Sequence, residues 1–273
     1  MKRRSVQAIA LGVALLAFAL AGVQYRRAET LRQQALEAAR RGATWLSALD
    51  VPLKDPGIPW IVSAINGEYC HEPRVAEYVA QRFTEFEGRR DPIYAALRGL
   101  ALGARDETFE GFSGRWQEFV NKGDVVSAMA FGVYCDRMPR PDVVSRVVLS
   151  TTSAGYELTH QFLALQYMKQ NGCLSPSDEK VLSLAARAMA DEQQRDSEFS
   201  DLWAERLALL LYGDYRRLVE TSWIETLIAK QEPSGAWSDP KFPRRFYKTP
   251  ENPHTTVLAV WALAEHSRAC PFR

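Results

Sequence analysis

The stretch Gln231-Glu232-Pro233-Ser234-Gly235-Ala236-Trp237, answered after a long loop by Pro253-His254-Thr255-Thr256, decides how the whole chain is read. Apolar residues recur at helical spacing on both sides of it, from about residue 215 up to Gln231 and again from 253 to 267. Gly235 marks a turn, because a residue without Cβ enters backbone regions that others resist. Pro253 suits the first position of a helix, and Asn252 before it suits a cap. The stretch is therefore the hinge of a helical hairpin.

Outward from this hairpin the rest of the chain reads the same way. From Glu29 onward Ala and Leu recur at three- and four-residue spacing, with few alternating β-branched runs. Breaks fall at clusters such as Asp55-Pro56-Gly57, His71-Glu72-Pro73, Pro139 to Pro141 and Gly213-Asp214. The segments pair into six hairpins. First members lie near 29–49, 72–87, 106–121, 141–150, 176–195 and 215–231, and their partners near 58–67, 91–103, 123–135, 154–171, 198–212 and 253–267. The partners are the more apolar, as in Leu207-Ala208-Leu209-Leu210-Leu211. A helix apolar on most sides is a buried one, so the partners belong inside and the charged first members outside.

The Q-x-x-x-G-x-W spacing, with a His-Thr-Thr helix start after it, resembles the repeat of the terpene cyclase and protein prenyltransferase superfamily. The likeness covers the last hairpin, with a weaker echo at Ala43-Thr44-Trp45-Leu46. It implies an all-α fold in which six hairpins close into an alpha/alpha toroid of inner and outer helices. In that repeat a helix ends at the Gln, and the Trp packs its ring on the next helix while its N–H finds a partner. An open superhelix of the tetratricopeptide kind uses similar hairpins, but shows a regular 34-residue signature that these uneven intervals lack.

Composition bounds the rest. A chain of 273 residues, 47% apolar and 11% aromatic, has material for one large core. Setting aside Lys2, Arg3 and Arg4 leaves 31 basic against 33 acidic residues, and a neutral body carries no footprint for nucleic acid. Those three cations precede an apolar run over 8–23, which is a signal peptide cut after Ala21 or a short membrane anchor flanked by Tyr25-Arg26-Arg27. Counted from Val6, the run just reaches the length that spans a bilayer, about 17–20 residues. Residues 1–28 are expected to form this segment and 29–273 the toroid, held outside the cytoplasm, in the periplasm if the source is bacterial. An even number of cysteines, without metal-ligand spacing, agrees with an oxidising compartment.

In a toroid the inner helices run in parallel and gather their N-termini at one mouth, where partial positive charge and free N–H groups meet. Candidate ligand-binding residues in those first turns are Trp60, Tyr94, Tyr156, Trp203, Glu205 and His254. Glu157 and His160, three apart on one face, suit a carboxylate holding an imidazole for acid–base work, with Asp201 as a further carboxylate. Each has a plainer reading: Glu157 complements a helix N-terminus, His160 bonds within the ring, and Asp201 and Glu205 pair with Arg206 or Arg98 or stand solvated at the rim. His254 matches in position a zinc ligand of the prenyltransferases, but the Asp and Cys of their D-x-C motif have no counterpart in 238–246. Neither the D-x-D-D acid of squalene-hopene type cyclases nor a D-D-x-x-D metal motif occurs. No cofactor is implied. The loop over 238–252 interleaves Lys241, Arg244, Arg245 and Lys248 with Phe242, Phe246 and Tyr247, a pattern that grips an anionic or partly apolar ligand or packs at the rim.

The toroid order also predicts the cysteine pairs. Cys70, Cys135, Cys173 and Cys270 follow inner helices one, three, four and six, on the face opposite the mouth. Only Cys70–Cys270 with Cys135–Cys173 joins neighbouring helices in both bonds. For function three expectations stand: a non-catalytic domain binding a ligand or protein partner at the mouth, an enzyme on a glycan or isoprenoid-like substrate using Glu157, His160 and Asp201, and a scaffold with no small ligand.

Overall fold

A computed structural model of the chain describes residues 2–89, 91–112, 114–239 and 251–273, with the side chains of the first helix described from residue 21 onward. Among the described residues the chain is all helical, apart from a single bridge between Ser238 and Glu251. The helices are α1 (Lys2–Ser47), α2 (Gly57–Ile65, continued by a π-turn over Asn66–Cys70), α3 (Pro73–Thr84), α4 (Pro92–Leu102), α5 (Arg105–Gly111), α6 (Trp116–Val120) and α7 (Val125–Tyr134). They continue as α8 (Asp142–Val148), α9 (Gly155–Gln170), α10 (Pro176–Arg195), α11 (Asp201–Tyr212), α12 (Thr221–Ala229) and α13 (Pro253–Ser267).

The start signals in the sequence are used as caps. Asp124 and Ser127 form a capping box on α7, and Ser175 and Asp178 form another on α10. Ser200 accepts from the Trp203 N–H on α11, and Asn252 accepts from the His254 N–H on α13, each leaving one fewer orphan donor at a buried helix end.

Burial divides the helices into two sets. In α7, α9, α11 and α13 most residues are buried, whereas α3 buries a single stripe of Val75, Val79 and Phe83 and α10 buries chiefly Leu182, Ala185, Ala186 and Met189. The second members of the six hairpins are thus the interior ones. They pack in chain order, α2 on α4, α4 on α7, α7 on α9, α9 on α11 and α11 on α13, and α13 packs back on α2. The first members cover them from outside, α10 lying on α9 and α11, and α1 on α13.

Helix α1 runs across residue 28 without a break, because no proline stands between Lys2 and Ser47 and the glycines at 12, 22 and 42 are each isolated and tolerated in a helix. One segment differs from expectation. The segment over 106–121 is two short helices, α5 and α6, divided at the glycines 111 and 114. No helix of the described residues is long and apolar enough to cross a membrane. Most of the apolar run expected as an anchor, up to residue 20, has side chains outside the described set.

The last hairpin is tied together by the side chains of its turn. The Gln231 amide donates to the Ala38 and Gly235 carbonyls and its oxygen accepts from Arg41, so one side chain joins α1 to the turn. The Trp237 indole N–H donates to Leu227 O at 2.8 Å, and its backbone N–H donates to Thr256 Oγ1. Gly235 sits at φ 97°, where a Cβ would also stand 2.8 Å from the Arg41 carbonyl. No other residue fits there without strain.

Both expected disulfides are present. Cys70 joins Cys270 with Cα atoms 4.8 Å apart, and Cys135 joins Cys173 at 6.1 Å. Bonds of this kind persist in oxidising, non-cytoplasmic compartments.

Candidate functional site

The interior helices bring their first turns together around one cavity of about 260 Å³. Each contributes residues at helical spacing: Trp60 and Ile61 from α2, Tyr94 and Leu97 from α4, Val126 and Met129 from α7, His160, Leu163 and Tyr167 from α9, Glu205 and Leu209 from α11, and His254, Leu258 and Trp261 from α13. The floor is aromatic. Trp60 meets Tyr167 and Trp261 edge-on, with ring centroids 5.5 and 5.4 Å apart, an arrangement that ring quadrupoles favour.

Polar groups crowd the upper wall. Asp201, the first residue of α11 and fully buried, accepts from Thr255 Oγ1 at 2.6 Å and from the Tyr156 hydroxyl at 3.0 Å. His254 Nδ1 lies 2.9 Å from Asp201 Oδ1, and His254 Nε2 lies 3.3 Å from Asp55 Oδ2. The Asp201 N–H in turn donates to Asp239 Oδ2 at 2.6 Å. Burial alone pushes the imidazole toward neutrality, but the Asp201 and Asp55 carboxylates prevail and raise His254 to about 10. Burial likewise opposes charge on Asp201, and the His254 imidazolium with the Thr255 and Tyr156 hydroxyls reverses it, holding this carboxyl below its usual range. Tyr156 is pushed well above the usual phenol value by burial and by Asp201 and Glu205.

Glu205 stands apart from this network. Its Oε1 is 3.7 Å from His160 Nε2, and its Oε2 is buried without a hydrogen-bond partner. Burial raises its carboxyl, Asp201 adds to that, and His160 and His254 pull only partly the other way.

The structure sorts the sequence candidates. Trp60, Tyr94, His160, Glu205 and His254 line the cavity, and Asp201 and Tyr156 build its wall from behind. Glu157 does not join them. It is exposed at the start of α9, so the carboxylate beside His160 is Glu205, and the expected Glu157–His160 pairing is corrected to that one. Trp203 is buried against Phe199 and lines no part of the cavity. Arg206 is not the partner of the site carboxylates, because its guanidinium is held by Gln193, Glu192 and Asp196. Arg98 is exposed and lines a different groove. Lys241, Arg244, Arg245 and Lys248 lie outside the described residues.

Sequence reasoning passed over Asp55, Tyr167 and Asp239. Asp55 had a signal, since an Asp before Pro-Gly at a helix start commonly accepts from the backbone, and its Oδ1 does accept from the Gly57 N–H at 2.7 Å. Tyr167 lies two turns below His160 on the same face of α9, which a helical projection from His160 finds. Asp239 sits at the edge of the long loop and carries no local signal.

Both His254 nitrogens are directed at carboxylates, so a metal would have to displace one of them. Among the described residues no group of His, Cys, Asp and Glu has the geometry to hold a metal ion. No family model, curated protein or solved structure matches this chain, so the site is read from its own geometry.

Proposed function

We propose that the chain is an exported alpha/alpha toroid, related in fold to the terpene cyclase and prenyltransferase superfamily, that binds a small and mostly apolar ligand in its central cavity. The observation that carries this is the cavity itself, lined by the first turns of all six interior helices and floored by Trp60, Tyr167 and Trp261. Such a space, largely apolar with a few convergent polar groups, is what small-ligand sites are built from. The circular order of packing, with α13 returning to α2, supports closure of the ring. The Cys70–Cys270 bond at that seam supports it further. The apolar run before α1 enters the body, with its basic start, supports tethering to a membrane, and the two disulfides support a body on the non-cytoplasmic side.

A test uses benzene, a small neutral apolar probe. A ligand that binds only the folded state raises its stability as concentration rises. The melting temperature of the full chain is expected to climb with benzene, and a Leu209→Trp variant that fills the cavity should lose the increment. No increment in the wild-type chain would sink the binding reading.

A second reading, an acid–base enzyme, is favoured by one observation. Glu205, His160 and His254 line one wall, and burial holds Glu205 toward its protonated form. Glu157 takes no part in it. Binding that survives in Glu205→Gln while turnover of a candidate substrate vanishes would separate the enzyme from the binding domain.

A further inference from the structure

Two polar atoms in the cavity wall are left without partners. Glu205 is 5% exposed and Tyr167 is 1% exposed. Glu205 Oε2 and the Tyr167 hydroxyl are both buried and make no hydrogen bond, and both residues line the same space from the adjacent helices α11 and α9. A polar group buried without a partner forfeits the hydrogen bonds it makes to water in the unfolded chain. Most polar side chains around them are satisfied: Asp201 has three side-chain partners and Gln161 three backbone ones. Gln166 Nε2 and Asn252 Nδ2 are also buried without partners but their residues do not line the cavity, whereas Glu205 and Tyr167 face it at two depths. Tyr167 follows His160 by seven residues, roughly 10 Å farther along the helix axis.

Charge narrows what fills the gap. A cationic ligand would sit beside the His254 imidazolium, which Asp201 and Asp55 already hold. An anionic one would face the Asp55 carboxylate and Glu205 in a space with an apolar floor. Burying a charge without a partner costs far more than burying a hydroxyl that is hydrogen-bonded. A neutral hydroxyl also suits either state of Glu205: it donates to the carboxylate and accepts from the acid.

Resting on the reading of this cavity as a ligand site, we propose that Glu205 recognises the hydroxyl of a small neutral alcohol whose apolar body lies on Trp60, Trp261 and Leu258. The Tyr167 hydroxyl meets any second polar atom at the far end. Glu205 acts here as a binding residue, and no bond is made or broken.

The test compares 1-octanol with octylammonium and octanoate, which share its chain and differ in head charge. Thermal stabilisation of the full chain is measured against probe concentration. The Leu209→Trp variant, or Leu258→Phe as a milder plug, subtracts partitioning outside the cavity. Octanol is expected to bind at least about tenfold more tightly than either charged probe. Glu205→Leu should weaken octanol about tenfold, and Glu205→Gln, which keeps a donor and an acceptor, should stay within about threefold of wild type. Equal or tighter binding of a charged probe overturns the inference, as does octanol affinity unchanged in Glu205→Leu. Benzene separates the two levels. Benzene bound in the cavity without preference among the head groups overturns the alcohol alone, whereas no benzene binding removes the ligand site and the alcohol with it.

Discussion

His254 Nδ1 and Asp201 Oδ1 meet at 2.9 Å, across 53 positions of sequence, and so join the N-termini of α13 and α11. Both helix ends carry partial positive charge, which suits Asp201 and opposes the imidazolium. The second carboxylate, Asp55, tips the balance. His254 is raised to about 10 from 6.5 despite its burial, so its contribution to stability is full below pH 6.5 and is lost as pH rises through 10. Asp201 is held below 3.8, so its contribution is present above that value and is lost as pH falls below it. Stability should therefore fall on both sides of a plateau between about pH 4 and 6.5. Thermal melts across pH check this: His254→Gln should cost about 3 kcal/mol on the plateau, by leaving the buried Asp201 carboxylate without its countercharge, and should flatten the alkaline limb. A wild-type curve level from pH 6.5 to 10 would contradict the ion pair.

Glu205 behaves in the opposite sense to Asp201. Its carboxyl is raised, chiefly by burial, so its ionisation opposes folding as pH rises past the ordinary carboxylate range. Glu205→Gln removes that opposition. The variant is expected to melt higher than wild type at pH 8 and no higher at pH 4. A residue whose loss stabilises the fold is one kept for something other than folding. Denaturant titration at the two pH values gives the comparison, and an equal change at both would show that packing, not charge, sets the cost of Glu205.

How much of this was legible in sequence follows from what each signal depends on. The hairpins were, because helical periodicity and caps such as Ser175 with Asp178 are local. The disulfides were, because the order of packing leaves one pairing of neighbours. The choice of Glu205 over Glu157 was not. Both sit near the start of an interior helix, and only the rotation of α9 about its own axis sends Glu157 to solvent and His160 inward. That rotation is fixed by the stretch from Leu158 to Met168, which is buried nearly all round, with Thr159, Gln161 and Gln166 among its apolar residues, and so gives little directional signal in its sequence. Asp55 was missed because its role depends on a contact with α13, nearly two hundred residues away.

The Gly235 turn yields a backbone prediction. At φ 97°, with the Arg41 carbonyl 2.8 Å from where a Cβ would stand, Gly235→Ala meets both strain and a clash. The loss is expected to exceed about 1 kcal/mol. Gly172, also at positive φ but with open space around its missing Cβ, should cost less on the same change. Paired chemical melts of the two variants give the contrast, and equal losses would mean that the contact with α1 contributes nothing.

The disulfide at the seam should matter more than the other one. Cys70 and Cys270 close a loop over 200 positions, and Cys135 and Cys173 close one over 38. Loop-entropy arithmetic gives about 5 kcal/mol for the longer and about 4 for the shorter, before any native strain. Replacing Cys70 and Cys270 together with Ser should therefore lower stability at least as much as replacing Cys135 and Cys173. Peptide mapping without reduction identifies the bonds directly. A Cys70–Cys135 peptide would overturn the packing order on which the comparison stands.

The first helix separates what the body needs from what precedes it. Side chains of α1 enter the core from Leu31 onward, through Ala35, Ala38, Ala39, Ala43 and Leu46, and Val23 and Tyr25 remain exposed. Gly42 lets α1 approach so closely that a Cβ there would stand 2.6 Å from Val260 and 2.7 Å from the Trp237 ring. Removing residues 1–23 therefore deletes no core contact among the described side chains. Removing 1–47 exposes one side of α13 and uncovers Trp237. Fully burying a single leucine contributes about 1.5–3 kcal/mol, so the loss of Leu31 and Leu46 with the alanines between them is comparable to the whole stability of an ordinary domain. The shorter truncation is expected to melt cooperatively within a few degrees of the full chain, and the longer one to lose its cooperative transition. Circular dichroism melts of the two products decide it, and a cooperative transition without α1 would mean that the remaining helices form a core by themselves.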